Sequence, residues 1–155
     1  MSFNAYFTSY KQGHERHTMK SFLKKSLSPG DTNFRESIGL LILRIIFGGM
    51  MLLNHGLPKL DKDLSDLPNP LNLNPSLSGG LILFAELFCS GLIILGLAGR
   101  WAAAVLSIAM ATAFFIFHSA DFKEGEMALI YLAAFTCILF TGPGAFSIDR
   151  IFNKK

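Results

Sequence analysis

The chain has 155 residues, of which 51% are hydrophobic and 15 are phenylalanine, and its mean hydropathy is +0.43. This length predicts one domain, and the hydropathy is too high for a soluble domain of that size. The net charge of +3 comes without a basic-aromatic binding module, so a nucleic-acid patch is not indicated. Cys89 and Cys137 form no CxxC motif, which excludes a dithiol redox motif and a zinc site of that kind.

Four apolar segments are long enough, or nearly so, to cross the hydrocarbon core, which takes about 20 helical residues. They run approximately over residues 38–60, 79–98, 101–118 and 126–141. A β-barrel is not indicated, because the alternation of apolar and polar residues that its strands need is absent. The expected fold class is therefore all-α, a polytopic membrane protein built as an antiparallel bundle of four transmembrane helices.

The connections carry turn-forming residues. Residues 61–78 hold three prolines and are expected to form a loop whose leucines lie against the membrane surface. Residues 99–101, Gly-Arg-Trp, predict a very short turn between the second and third spans. Residues 142–144, Gly-Pro-Gly, end the fourth span, and Ser147 is the expected N-cap of a short interfacial helix.

Residues 1–36 are expected to form a basic polar leader, and residues 37–155 the membrane domain. The leader lacks the short apolar core and small-residue cleavage site of a signal peptide. Its segment MKSFLKKSL, which begins at Met19, is expected to be amphipathic and to lie on the membrane surface. We hypothesise that Met19 is the natural start; an intact mass of the native protein that includes residues 1–18 would contradict this.

Lysine and arginine are distributed unevenly between the two sides of the predicted bundle, which indicates its orientation. The side with the termini and the second connection carries Lys11, Arg16, Lys20, Lys24, Lys25, Arg35, Arg100, Arg150, Lys154 and Lys155. The opposite side carries Lys59, Lys62 and Lys123. This excess predicts that both termini of the multi-pass protein lie in the cytoplasm and that loops 61–78 and 119–125 face outward.

The first span carries charged groups inside an apolar run. At about 100° per residue, Arg44, Gly48, His55 and Lys59 fall within one arc of an ideal helix. A polar stripe that faced lipid would be energetically costly, so the stripe is expected to face the interior of the bundle.

Depth along the spans suggests partners for this stripe. Glu86 in the second span lies at a depth that lets it meet His55 or Lys59, and the long side chain of Arg44 can reach upward toward Glu86. His118 and Glu126 lie at the outer ends of the third and fourth spans. We therefore take six residues as candidate ligand-binding residues: Arg44, His55, Lys59, Glu86, His118 and Glu126. The alternative is a set of buried ion pairs that fix helix register, together with interfacial side chains that reach toward water.

Several motifs, which follow one another in the order seen in the DoxX family, resemble that family over residues 38–151. They are LILRIIFGGMMLLNHGLPKL at 41–60, AELFCSGLIILGLAGR at 85–100, FIFH at 115–118, DFKEGEMALIYL at 121–132 and TGPGAFSIDR at 141–150. The resemblance implies a four-helix bacterial inner-membrane protein that works as a small subunit in redox chemistry. A related archaeal DoxD-type protein belongs to a thiosulfate:quinone oxidoreductase, and other members are linked to thiols and oxidative stress.

Two functions are consistent with these observations. In the first, a redox-associated subunit binds a quinone or a similar amphiphile in a polar pocket in the outer half of the bundle. His55, Glu86 and His118 would donate protons, while Lys59 and Arg44 would stabilise negative charge on the reduced ring. The chain has no metal, flavin or haem motif, so electrons would come from a partner oxidoreductase subunit. In the second, the protein is a non-catalytic binding, transport or assembly protein.

Overall fold

A computed structural model describes residues 33–153. Over that range the regular structure is helical and no strand is present, which confirms the all-α fold class. The helices are α1 (Phe34–Lys59), α2 (Pro75–Leu95), α3 (Gly99–Phe117), α4 (Glu126–Thr141) and α5 (Ile148–Asn153). The predicted amphipathic segment and the hypothesis about Met19 lie outside the described residues.

The helices have the lengths and surfaces of membrane spans. The first three, α1, α2 and α3, contain 26, 21 and 19 residues and are apolar enough to cross a bilayer, while α4 is apolar but has only 16. Large apolar side chains cover the outer surface of the bundle, among them Ile42, Ile45, Leu81, Phe88, Ile108, Ile130 and Phe140. The charged side chains of Arg44 and Glu86 are buried instead. This distribution is that of a polytopic membrane protein, as the sequence predicted.

Two helices begin earlier than their apolar runs indicate, because polar caps start them. Before α1, the carboxylate of Glu36 accepts a hydrogen bond of 3.2 Å from the backbone N–H of Asn33. Before α2, the side chain of Asn74 accepts one of 3.4 Å from the N–H of Leu77, and Pro75 occupies the first helical position. These caps place the helix starts at 34 and 75 rather than at 38 and 79.

The turn between α2 and α3 lies three residues earlier than predicted. Gly96 adopts φ +67° after the last residue of α2, and the N–H of Leu97 donates to the carbonyl of Leu92 at 3.0 Å. This is the hydrogen bond of a glycine-terminated helix end. Residues 96–98 therefore form the turn, and the predicted turn residues 99–101 are the first turn of α3.

The interior of the bundle is formed by facing sides of all four spans. Helices α3 and α4 make the most extensive contact, and the small Ala102 and Ala103 of α3 are fully buried. Cys89 lies in this core, as expected of a cysteine that acts as a small apolar residue, whereas Cys137 is exposed on α4. Both cysteines are free thiols.

Wide π-helical turns interrupt three of the spans. They occupy Arg44–Gly48 and Leu52–Gly56 in α1, Phe84–Cys89 in α2 and Ala113–Phe117 in α3. A π turn rotates each residue less than an α turn, so it changes which side of the helix the following residues face. A side chain before such a turn and a side chain after it therefore do not face the same direction as they would on an uninterrupted α-helix, which the sequence analysis assumed.

Beyond α4, the C-terminal segment folds back against the bundle. Gly142, at φ +84°, ends α4, which confirms the predicted stop. The side chain of Ser147 accepts a hydrogen bond of 3.3 Å from the N–H of Arg150, which confirms its predicted role at the start of α5. The N–H of Asp149 donates to the carbonyl of Gly96 at 3.0 Å, so this segment covers the turn between α2 and α3.

Candidate ligand-binding site

The polar groups of the interior form two clusters at opposite ends of the bundle. We call the end that holds the α2–α3 turn and residues 142–153 the terminal end, and the other the loop end. At the loop end, the ammonium of Lys59 donates a hydrogen bond to Oε2 of Glu86 and forms an ion pair with it. The two side chains are only 19% and 9% exposed. Of the three partners that the sequence analysis allowed for Glu86, namely His55, Lys59 and Arg44, the structure thus selects Lys59.

Gly56 brings the two helices close enough for this ion pair. It is buried at the end of a π turn in α1, and a Cβ added to it would lie 2.7 Å from the backbone carbonyl oxygen of Glu86. The hydroxyl of Ser90, one turn later in α2, donates to the same carbonyl. Lys59 follows Gly56 by three residues, so the close crossing carries its ammonium to the carboxylate of Glu86.

A cavity of about 410 Å³ opens beside this ion pair, and we call it the α2–α3 cavity. Its walls are α2, α3 and the loop between α1 and α2, and Lys59 and Glu86 both line it. Almost all other lining groups are apolar. The loop contributes Pro68, Pro70, Leu71 and Leu73; α3 contributes Val105, Ala109, Met110 and Ala113 among others. The volume falls in the usual range for small-molecule pockets, about 300–1,000 Å³.

The rim of the α2–α3 cavity is continuous with the lipid-facing surface. Leu81 and Phe84 of α2 line the cavity and are 53% and 48% exposed, and Ile108 of α3 lines it and is 68% exposed. Phe117, at the end of α3, is exposed in the same way. Because these side chains face both the cavity and the surroundings of the bundle, the cavity opens sideways toward lipid.

His55 lies at the loop end but outside the α2–α3 cavity. Its ring packs edge-on against Tyr131 of α4, with ring centroids 5.5 Å apart, and Phe47 meets the same tyrosine at 5.8 Å. The hydroxyl of Tyr131 is buried and has no hydrogen-bond partner among residues 33–153. The structure therefore places His55 in an aromatic contact between α1 and α4.

The two candidates at the ends of α3 and α4 lie apart from the ion pair. His118 directly follows α3, is half-buried and packs edge-on against the neighbouring Phe117 at 5.0 Å. Glu126 is the first residue of α4 and is exposed. Neither lines the α2–α3 cavity, so the cavity unites two of the six candidates, Lys59 and Glu86.

At the terminal end, Arg44 is buried, with 1% of its surface exposed, and its guanidinium binds backbone carbonyls. Nε donates to Ile93 at 2.9 Å and Nη2 to Ile94 at 3.0 Å, while Nη1 donates to Pro143 at 2.6 Å and to Phe146 at 3.1 Å. Arg44 therefore does not form the ion pair with Glu86 that the sequence analysis had considered, because Glu86 pairs with Lys59. Arg44 lies level with the end of α2, where carbonyls run out of α-helical partners. The carbonyl of Ile93 accepts from the N–H of Gly96 at 3.1 Å as well as from Arg44.

Asp149, which the sequence analysis did not select, completes this cluster. Its carboxylate accepts hydrogen bonds from the N–H groups of Ala98 at 2.7 Å and Gly99 at 2.9 Å, and so caps the start of α3. It also interacts electrostatically with Arg44. The motif TGPGAFSIDR could have indicated this role for Asp149. It contains the aspartate together with Pro143 and Phe146, whose carbonyls Arg44 binds. The hydrogen bonds of this cluster connect α2, α3 and the C-terminal segment to one another.

Metal binding receives no support from the described side chains. Between residues 33 and 153, no group of three or more His, Cys, Asp and Glu side chains is arranged to hold a metal ion. The arrangement at the loop end suits a different task. It offers an apolar space with a hydrogen-bond donor and an acceptor in one wall, which can hold an amphiphilic molecule by its head and its apolar body.

Comparisons with known proteins agree with the motifs and the fold. The chain is 35% identical over 130 residues to an uncharacterized protein of Haemophilus influenzae, an alignment that covers 75% of this chain and 92% of that one. It is 45% identical over 47 residues to the inner membrane protein YqjF of Escherichia coli, covering 26% of this chain and 35% of that protein. None of the solved structures matches. The DoxX family model matches residues 39–119, just over half of the chain. The chain therefore belongs to the DoxX family.

Proposed function

We propose that this protein is a redox-associated membrane subunit that binds a quinone-like amphiphile in the α2–α3 cavity. The observation that carries the proposal is a cavity of about 410 Å³ whose walls are mostly apolar and contain one largely buried ion pair, Lys59 with Glu86. An apolar space of this kind suits a ring and a tail, and the ion pair suits the oxygen atoms of a head group.

The sideways opening supports a ligand that dissolves in the membrane. Leu81, Phe84 and Ile108 line the cavity and are also exposed on the lipid-facing surface. A molecule that diffuses within the bilayer enters between α2 and α3 with its apolar chain still in lipid. The family membership and the name of the Escherichia coli relative support the inner membrane as the location. The cytoplasmic location of both termini is proposed from the distribution of lysine and arginine.

The ion pair supplies the polar chemistry that such a ligand requires. The ammonium of Lys59 donates hydrogen bonds to an oxygen of the ligand, and the carboxylate of Glu86 accepts one from a hydroxyl. When a quinone is reduced, its oxygens gain protons, and this pair holds a proton donor at the wall of the cavity. Electrons come from a partner oxidoreductase subunit, so this chain alone is not the complete enzyme.

Equilibrium binding of a short-chain ubiquinone analogue tests the proposal, with the purified protein in lipid nanodiscs and the bound analogue counted by native mass spectrometry. We expect saturable binding to the unchanged protein and its loss in Ala109→Phe, which fills the cavity from α3. Ala133→Phe makes the same change on the exposed side of α4 and is expected to bind like the unchanged protein. Absence of saturable binding to the unchanged protein, or equal binding by both variants, would refute the proposal.

A further inference from the structure

The ion pair at the wall of the α2–α3 cavity also restricts what kind of head group binds there. We propose that Lys59 and Glu86 make the cavity selective for amphiphiles with an uncharged head group that both donates and accepts hydrogen bonds, such as an alcohol or a phenol. Fatty acids and long-chain amines are bound more weakly. This inference rests on the proposed function, because it concerns the same cavity.

The wall of the α2–α3 cavity carries no net charge. Among the described residues that line the cavity, Lys59 and Glu86 are the ones that carry charge, and they have opposite signs. The wall is therefore neutral as a whole. A charged head group would bring a third charge into an apolar space where no counter-charge is left to compensate it, and burial of an uncompensated charge is strongly unfavourable.

The ion pair leaves part of its hydrogen-bonding capacity open. An ammonium has three N–H donors and a carboxylate two oxygen acceptors. Lys59 uses one donor on Oε2 of Glu86, and within residues 33–153 neither its other donors nor Oε1 of Glu86 has a hydrogen-bond partner. A donor and an acceptor thus remain side by side. A hydroxyl group accepts from the first and donates to the second, which satisfies both at once.

The experiment compares three probes that share one apolar chain and differ in head-group charge: 1-dodecanol, dodecanoate and dodecylammonium. Each competes at mildly alkaline pH with the bound ubiquinone analogue on the full-length protein in nanodiscs of a zwitterionic lipid. We expect dodecanol to displace the analogue at the lowest concentration. Stronger displacement by either charged probe would overturn the inference, whereas no displacement by any of the three, with no saturable analogue binding, would refute the proposed function itself.

Two substitutions are expected to change the preference in opposite directions. Glu86→Gln leaves the positive charge of Lys59 uncompensated. It should strengthen the displacement of the analogue by dodecanoate, relative to that by dodecanol, by about tenfold or more. Lys59→Met leaves the negative charge of Glu86 uncompensated. It should strengthen displacement by dodecylammonium, relative to that by dodecanol, to a similar extent. The double variant has a neutral wall again and is expected to retain the preference for dodecanol, and it serves as the second test if a single variant does not fold.

Matched controls separate the wall of the cavity from the general charge of the loop end. Lys62→Met and Asp66→Asn remove one positive and one negative charge from exposed positions in the neighbouring loop that do not line the cavity. Both are expected to keep the probe order of the unchanged protein. If they shift the order as strongly as the changes at Lys59 and Glu86, or if those two leave it unchanged, the ion pair does not determine selectivity.

Discussion

At the residue level, Arg44 shows how a buried charge is satisfied mainly by backbone carbonyls, with Asp149 of α5 as the nearby opposite charge. Its guanidinium donates to four backbone carbonyls at the terminal end, two from the last turn of α2 and two from the segment after α4. Bonds from a charged donor are stronger than neutral ones. Arg44, one of the six candidate ligand-binding residues, is therefore held by the protein's own backbone.

Substitution of Arg44 is expected to reduce stability strongly. Arg44→Leu should lower the free energy of unfolding by about 3 kcal/mol or more, since each buried carbonyl left unpaired costs roughly 1–3 kcal/mol. Arg44→Lys should recover only part of the loss, because an ammonium lacks the planar fork of the guanidinium. Unfolding of the purified protein by titration with dodecyl sulfate measures both, and an Arg44→Leu protein as stable as the unchanged one would contradict this assignment.

A double-mutant cycle distinguishes the observed ion pair from the one that the sequence suggested. The losses in Lys59→Met and Glu86→Gln should be non-additive, with an interaction free energy of about 0.5–3 kcal/mol, because the two side chains are in contact. Arg44→Leu combined with Glu86→Gln is the control cycle. It should be additive within about 0.5 kcal/mol, because these residues share no partner. Coupling in the second cycle but not in the first would restore the pairing expected from sequence.

At the scale of the elements, close contact between α1 and α2 depends on a glycine. Gly56→Ala should lower the free energy of unfolding by about 1–3 kcal/mol, since its Cβ meets the backbone of Glu86 and Leu87, which cannot move aside. Gly49→Ala in the same helix is the matched control. Apart from its chain neighbours and the adjacent backbone of its own helix, no atom lies within 4 Å of a Cβ at that position, so stability should be unchanged or slightly raised. Equal effects in the same unfolding titration would contradict the close crossing.

The helices could be predicted from the sequence more accurately than the contacts of their side chains. The apolar runs predicted each span, Gly142 and Ser147 marked the end of α4 and the start of α5, and depth placed Glu86 within reach of Lys59. The Arg44 prediction failed because it assumed uniform helical rotation and did not locate the end of α2 beside Arg44. No local pattern shows that the proline-rich loop lines a cavity, because that position depends on contacts with α2 and α3.

At the scale of the whole molecule, the uneven distribution of lysine and arginine still predicts the orientation. In a cysteine-free background, Lys62→Cys should react from outside intact cells with a thiol reagent that does not cross membranes. Asn153→Cys should react only after the membrane is opened. Three spans, α2, α3 and α4, separate these two positions, so reaction of both from the same side would contradict the four-span arrangement. Reaction of position 153 from outside and of position 62 only after opening would contradict the cytoplasmic termini.

In the proposed function, a membrane-soluble ligand binds between α2 and α3 beside Lys59 and Glu86. The most direct measurement is photolabelling in native membranes with a diazirine-bearing ubiquinone analogue, followed by mapping of the labelled residues. We expect label on cavity positions such as Val105 and Ala109 that disappears with excess unlabelled analogue. Label spread equally over the exposed side of α4, including Ala133, and insensitive to the competitor would contradict the claim.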